Sequence, residues 1–304
     1  MAIPFRILSA NTNQRPGLAC EITPEGVIAA RQQSEQQAVM SFAPLPAGIV
    51  QAGLATPNFS DEAAVAAALQ QALDEVASRE KQLTLVVPDG AVRVLMLEFD
   101  TLPAKAQEAL PIVRFRLRKL MPFEVDDAAV SYQVMCQGAE QANVLVTVMP
   151  AAVRSEYEGA VRAAGYEPGV VLPSTLASLA ALTTSDAALV VNRNGLSLTT
   201  AIASGDELLL HRTQELPLGE QLYREELAQS VSVARAYFED TLHQSPEVVY
   251  CVGAGGAEEF TRALGDAPDE DGFRVRDLVA GPAMGASGSL PRGLMAGVTG
   301  ALAS

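Results

Sequence analysis

The chain of 304 residues has no tryptophan, two histidines and three cysteines. With only His211 and His243 available, a histidine-rich metal centre is excluded. Cys20, Cys136 and Cys251 lie far apart with no C-x-x-C pair, and each falls in a predicted strand. They read as small buried hydrophobes in a reducing compartment rather than a disulfide framework. No run approaches the roughly 18 apolar residues a membrane-spanning helix needs. The opening MAIPFRILSANTNQRPG lacks the apolar core and cleavage pattern of a signal peptide. Basic charge is also scarce: 21 Lys and Arg against 36 Asp and Glu leave a formal net charge of −15. Nucleic acid is therefore excluded as a main partner, because phosphate binding needs a concentrated basic surface. G-x-S-x-G, G-x-x-x-x-G-K-[ST] and H-E-x-x-H are all absent. These absences place the chain in the cytoplasm, touching a membrane only through a partner.

What is present is an apolar fraction of 49% rich in alanine, enough for two ordinary cores. Residues 17–31 read as strand, turn, strand around Thr23-Pro24-Glu25-Gly26. Residues 41–60 read as a connection carrying a further short strand. A helix is expected over 61–79, capped by Ser60, with Ala64, Ala68, Leu69, Ala72, Leu73 and Val76 on its apolar face. Leu83–Val87 is an apolar run broken only by Thr84, as in a strand covered on both faces. A strand over 92–99 leads to a helix over 103–121 that Pro111 should kink or mark as a restart. A hairpin over 130–149 follows, then a helix from Ala151 that ends at Gly165.

The second half repeats this plan. Three strands are expected at 189–192, 196–203 and 208–212, the first turn being Asn192-Arg193-Asn194-Gly195 and the next Ser204-Gly205-Asp206. A long helix over 218–242, a strand over 248–252, the turn Gly253-Ala254-Gly255-Gly256 and a helix over 257–264 complete it. The final LMAGVTGALAS is expected to pack back on the second domain. So each half opens on strand–turn–strand and then adds helices, as two related domains facing a cleft would.

The stretch 102–135 stands apart. Leu102-Pro103, a basic helix, Pro122-Phe123, Asp126-Asp127 and Tyr132-Gln133-Val134 form a pattern that resembles the type IV pilus assembly protein PilM family. The resemblance implies an α/β, actin-like (ribonuclease H-like) fold, shared with FtsA, of two domains enclosing a nucleotide. It implies a first domain over 1–90 and 150–185, an inserted α+β subdomain over 91–149 and a second domain over 186–304. By the same resemblance, the cleft residues are Glu21, Thr23 and Gly26 in the first turn, Asn192, Asn194 and Gly195 in the second, and Gly253, Gly255 and Gly256 in the third, an adenosine-contacting turn whose plain alternative is a tight strand-to-helix connection.

An actin-like ATPase needs an Asp and a Gly-rich turn at each phosphate loop, for magnesium and for backbone amides around phosphate oxygens. Here Glu21 stands at the first Asp position, Pro24 removes an amide, Glu25 adds a negative charge, and Asn192 replaces the second Asp. Two readings stand: a degraded nucleotide site with no resident cofactor and no ATP hydrolysis, or two ordinary hairpins. ATP with magnesium is the cofactor if the cleft is retained. In the family, the N-terminal tail of a membrane protein, PilN, lodges beside the inserted subdomain. The resemblance therefore implies a cytoplasmic scaffold, peripheral to the inner membrane, that docks a PilN-like bitopic protein and meets motor or platform proteins. Arg114, Arg118, Lys119, Leu120 and Phe123 are the candidate contacts. Their bland alternative is a solvated helix face paired with Glu124, Asp126 and Asp127. A working actin-like ATPase and a GspL-like type II secretion component are the rival functions.

Overall fold

A computed structural model describes residues 16–34, 37–76, 79–138, 141–184, 186–205, 207–264, 274–279, 290 and 292–303. Residues 1–15 and Asp206, on which two of the readings above fall, lie outside that set.

The first sheet contains β1 (Leu18–Thr23), β2 (Gly26–Ser34), β3 (Gln37–Pro44), β4 (Gln82–Val87) and β8 (Glu167–Pro173), in the order β3-β2-β1-β4-β8. β1, β2 and β3 form an antiparallel meander, and β4 and β8 run parallel to β1. Helices α1 (Glu62–Val76) and α3 (Ala151–Ala163) bury Leu69, Leu73, Tyr157 and Val161 against one face with Ile22, Leu83 and Leu85. The α1 cap is Asp61, whose carboxylate accepts the Ala64 N–H at 2.9 Å. Ser60, expected to do this, instead donates to the Gly48 carbonyl. Gly165 ends α3 as expected, at φ +86°.

The second sheet contains β9 (Ala188–Asn194), β10 (Ser197–Ser204), β11 (Glu207–Glu215), β12 (Val248–Val252) and β13 (Arg274–Asp277), in the order β11-β10-β9-β12-β13. Its pairing repeats the first sheet strand for strand: an antiparallel meander, then two parallel neighbours. Helices α5 (Glu220–Leu242) and α6 (Gly256–Leu264) cover one face through Leu227, Val231, Phe238 and Phe260. His243 closes α5 in the left-handed region at φ 54°.

A third sheet of β5 (Arg93–Phe99), β6 (Ala129–Gln137) and β7 (Ala142–Met149), ordered β5-β7-β6, carries α2 (Ala106–Leu117) on one face. This helix is shorter than the expected 103–121, and it runs continuously through Pro111. Ala109, Val113 and Leu117, four residues apart, are its buried stripe.

Two helices cross between the large sheets. α4 (Ser174–Leu179) sends Leu176 and Leu179 into a cluster with Val190, Ala201 and Leu208 of the second sheet. α7 (Ala296–Ala303), expected on the second domain, instead packs Val298 and Ala301 with Ala19, Ile28 and Val86 of the first. The reason is the α4–α7 crossing: a Cβ added at Gly300 would lie 1.8 Å from the Ala177 carbonyl oxygen. Only glycine permits that approach, and it draws the C-terminal helix onto the first sheet. Cys20 and Cys251 are buried, whereas Cys136 on β6 is exposed, correcting its reading as a buried hydrophobe.

Candidate functional site

β1, β4 and β9 end at a buried polar cluster between the two large sheets. Glu21 of β1, Asp89 after β4, Ser174 and Thr175 at the start of α4, and Asn192 of β9 are all buried. Asn192 Nδ2 donates to Ser174 Oγ (3.1 Å), Thr175 Oγ1 (2.9 Å) and Asp89 Oδ2 (3.3 Å). Ser174 Oγ passes the chain on to Glu21 Oε1 at 2.6 Å. Asp89 also accepts the Thr175 N–H at 3.0 Å and the Thr175 hydroxyl. The second sheet is thus tied to the first by one amide.

Burial pushes the Glu21 carboxyl up to about 8; the Ser174 hydrogen bond opposes this, and the negative charges of Asp89 and Glu25 add to it. α7 seals the group, since a Cβ at Gly297 would meet Glu21 Oε2 at 2.1 Å. His211 of β11 faces Asp89 with both ring nitrogens shielded, and burial lowers its pKa. The acceptor oxygens of Asn192 and Asn194 have no hydrogen-bond partner among the described residues.

The three turns named from sequence do converge. At the first, Thr23 Oγ1 accepts the N–H groups of Glu25 and Gly26 and donates to the Gly26 carbonyl, so this turn closes on itself. At the second, the turn is Gly195-Leu196; Asn192, Arg193 and Asn194 belong to β9, correcting the expected four-residue loop. Gly195, at φ +58°, abuts the Pro24 ring, which a Cβ there would meet at 2.8 Å. At the third, Gly253 adopts φ +132° against the Arg193 carbonyl.

Two carboxylates of the chain already use this third turn. Asp277 Oδ1 accepts the Ala257 N–H at 2.8 Å at the start of α6. The Glu259 side chain fills the space where a Gly255 Cβ would stand, and it pairs with Arg193. Arg193 also lies 4.5 Å from the centre of the Tyr223 ring. Arg193, Tyr223 and Glu259 line a cleft of about 400 Å³ together with Leu218, Arg224 and Arg262.

The five candidate partner contacts do not form one site. Arg114 donates to the carbonyls of Val125 (2.6 Å) and Ala128 (3.1 Å), pinning the loop that follows α2. Arg118 pairs with Asp126 at 2.6 Å. Lys119 and Leu120 sit on the outer surface, Lys119 over the Phe115 ring. Phe123 lines a different groove, of about 1080 Å³, with Pro24, Ala52, Asn194 and Leu218. Arg114 alone of the five borders a third groove, of about 440 Å³, between the insert and the first sheet. Its walls are Ala129, Val130 and Ser131 of β6 on one side and Val171 and Pro173 of β8 on the other. Both are edge strands of their sheets.

Asp89, Ser174, Thr175, Arg193, Glu259 and Asp277 were not anticipated. For the first three a signal existed: Pro88-Asp89-Gly90 and Pro173-Ser174-Thr175 both put polar side chains directly after apolar strand runs. The other three are joined by contacts between distant segments, which spacing does not encode.

Duplicated sheets of order 3-2-1-4-5, helices crossing between them and paired hairpin tips at the interface define an actin-like two-domain fold with an inserted α+β subdomain. The chain is similar to one in the PilM-PilN type IV pilus biogenesis complex, at a TM-score of 0.73 and 19% identity, over 95% of this chain and 98% of that one. It is also similar to the ethanolamine utilization protein EutJ from Carboxydothermus hydrogenoformans, at a TM-score of 0.50 and 13% identity, over 98% and 94%. At these identities the likeness shows the fold. No protein-family model matches the chain, and no curated protein matches it. Among the described residues no helix is long and apolar enough to cross a membrane.

Proposed function

We propose that this chain is a scaffold of a type IV pilus or related secretion machine, docking the cytoplasmic tail of a PilN-like bitopic membrane protein without hydrolysing ATP. The observation that carries the reading is the fold match over almost the whole of both chains to a member of a PilM-PilN complex, insert included. The groove between β6 and β8 supports it physically. Two sheet edges facing one channel offer backbone groups to an extended peptide, the mode in which main-chain hydrogen bonds give affinity and side-chain pockets give specificity. Val130, Val171 and Met149 supply apolar wall, while Arg114, Arg154 and Asp127 supply charge of both signs.

The nucleotide cleft supports a docking role over a catalytic one. A magnesium–phosphate group needs carboxylates and free backbone amides. Here Glu21 is buried and holds its proton to about pH 8, and an amide stands at Asn192. Thr23 uses the amides of the first turn, and Pro24 stands against Gly195. At the third turn, which the resemblance gives to adenosine, Asp277 already takes the Ala257 amide and Glu259 is paired with Arg193. These residues do not fit a metal-bound triphosphate. The convergence of all three turns favours a second reading, a nucleotide bound without turnover, with the base near Tyr223.

Titration of a fluorescent tail peptide from a PilN-like protein tests the docking reading. Binding should weaken at least about tenfold for Ser131→Trp, because filling a groove with an indole excludes a ligand of backbone width. Ser131 is exposed, so the fold should be kept. Equal affinity for the variant removes the groove from the interface. Calorimetry with ATP and magnesium addresses the other half: turnover would overturn the non-hydrolysing reading.

A further inference from the structure

Among the described residues, nothing packs over the outer face of α2. Pro111, Ile112, Phe115, Arg116, Arg118 and Lys119 are all exposed, Phe115 at 60% and Ile112 at 40%, and Leu120 just beyond the helix is 46% exposed. The opposite stripe, Ala109, Val113 and Leu117, is buried, so helix geometry puts Phe115 at the apex of the free face. From Pro111 to Phe123 the chain carries four cations, Arg114, Arg116, Arg118 and Lys119, and no acid, although its net charge is −15. Arg114 is turned inward to carbonyls and Arg118 is paired with Asp126; Lys119 sits over the Phe115 ring, and Arg116 projects about 100° round the helix from Phe115. Glu108, at the far end of the helix, is paired with Lys105.

We propose that this face lies directly on an anionic lipid bilayer, with Phe115, Ile112 and Leu120 entering the interfacial region and Arg116 and Lys119 reaching lipid phosphates. Its shape favours a bilayer over a peptide: the face is a convex ridge, and an amphipathic ridge with apolar apex and long cationic flanks is what an interface admits in plane. Charge complementarity favours anionic lipid. A chain of net charge −15 is repelled by such a surface everywhere except at a basic patch, which therefore also sets orientation. Lipid contact through one helix face is weak and reversible by itself, as fits a protein that docks a membrane-anchored partner. The β6–β8 groove adjoins the same helix through Arg114, so a tail rising from the bilayer has a short path to it. The inference goes beyond the docking reading and does not depend on it.

Flotation of the full chain with vesicles tests this. Vesicles of phosphatidylglycerol and phosphatidylcholine should retain the protein, and pure phosphatidylcholine should not. Raising salt should release it, because exposed charges are screened within about 10 Å at 0.1 M. The double variant Phe115→Ser/Lys119→Glu should lower retention at least about tenfold, since it removes one inserted aromatic and reverses a charge near the lipid. An unchanged circular dichroism spectrum confirms that the variant is folded. No retention on anionic vesicles, equal retention on neutral ones, or retention indifferent to the double variant overturns the proposal. A loss of self-association in the variant, with no vesicle binding by the parent, would assign the face to a second copy instead. The peptide titration contains no lipid and flotation contains no partner, so the two readings fail separately.

Discussion

The two large sheets have the same strand order and pairing, yet they are closed differently. The first is covered on one face by α1 and α3 and on the other by α7, an element from the far end of the chain. The second is covered by α5 and α6 on one face and meets the first-half helix α4 on the other. Each therefore borrows its inner cover from the other half of the chain. The polar cluster of Glu21, Asp89, Ser174, Thr175 and Asn192 sits where the borrowed helices cross. A duplicated fold is thus joined by an exchange that its two halves, taken singly, do not contain.

That comparison can be broken at the crossing, and the largest effect is expected at Glu21. In the unfolded chain this carboxyl ionises near 4.5, whereas the folded state holds the proton to about 8. Its contribution is full below pH 4.5 and is lost as the pH rises through 8, a change on the order of 5 kcal/mol. Urea denaturation of the wild type should show stability falling across that window, and Glu21→Gln should flatten the fall. A variant with the wild-type slope would mean that Glu21 is not the group responsible.

Gly300→Ala should come next. The added methyl meets the Ala177 carbonyl, so α4 and α7 must separate, at a cost of about 3 kcal/mol. The comparison is Gly159→Ala in α3, where none of the described residues lies within 4 Å of the new Cβ. There the lower backbone entropy of alanine should stabilise by ~0.5 kcal/mol or more. Opposite signs in thermal melts would locate the need for glycine at the crossing rather than in helices generally.

A smaller effect belongs to the second sheet alone. Asp277→Ala removes the acceptor of the Ala257 N–H and should cost about 1 kcal/mol, as other lost caps do. If the variant also gained affinity for inorganic phosphate, Asp277 would be the group that keeps anions from the third turn.

Much of the fold was legible because strands and helices are set by local pattern. β4 shows as an apolar run broken only by Thr84, α1 as a 3.6-residue stripe and α3 by its terminal glycine. The β9–β10 turn was misplaced because Asn192 and Asn194 look like turn residues, yet tertiary partners hold Asn192 in a strand. The three candidate turns were legible and the fold brings them near Arg193, but of the residues named in them Gly195 alone lines the cleft beside Tyr223. The candidate contact set was less so. Arg114 and Arg118 share a helix face, but carbonyls of the following loop and Asp126 take them up, and Phe123 points into another groove.

By itself the sequence determined the duplicated order of elements, the absence of common catalytic motifs and the one basic helix in an acidic chain, because these are properties of neighbours along the chain. The tertiary structure alone decided that the C-terminal helix seals Glu21, that Asp277 and Glu259 occupy the glycine-rich turn, and that β6 and β8 face one groove. Each of those facts depends on close approach between residues far apart in the chain, where burial, rather than spacing, sets protonation and pairing.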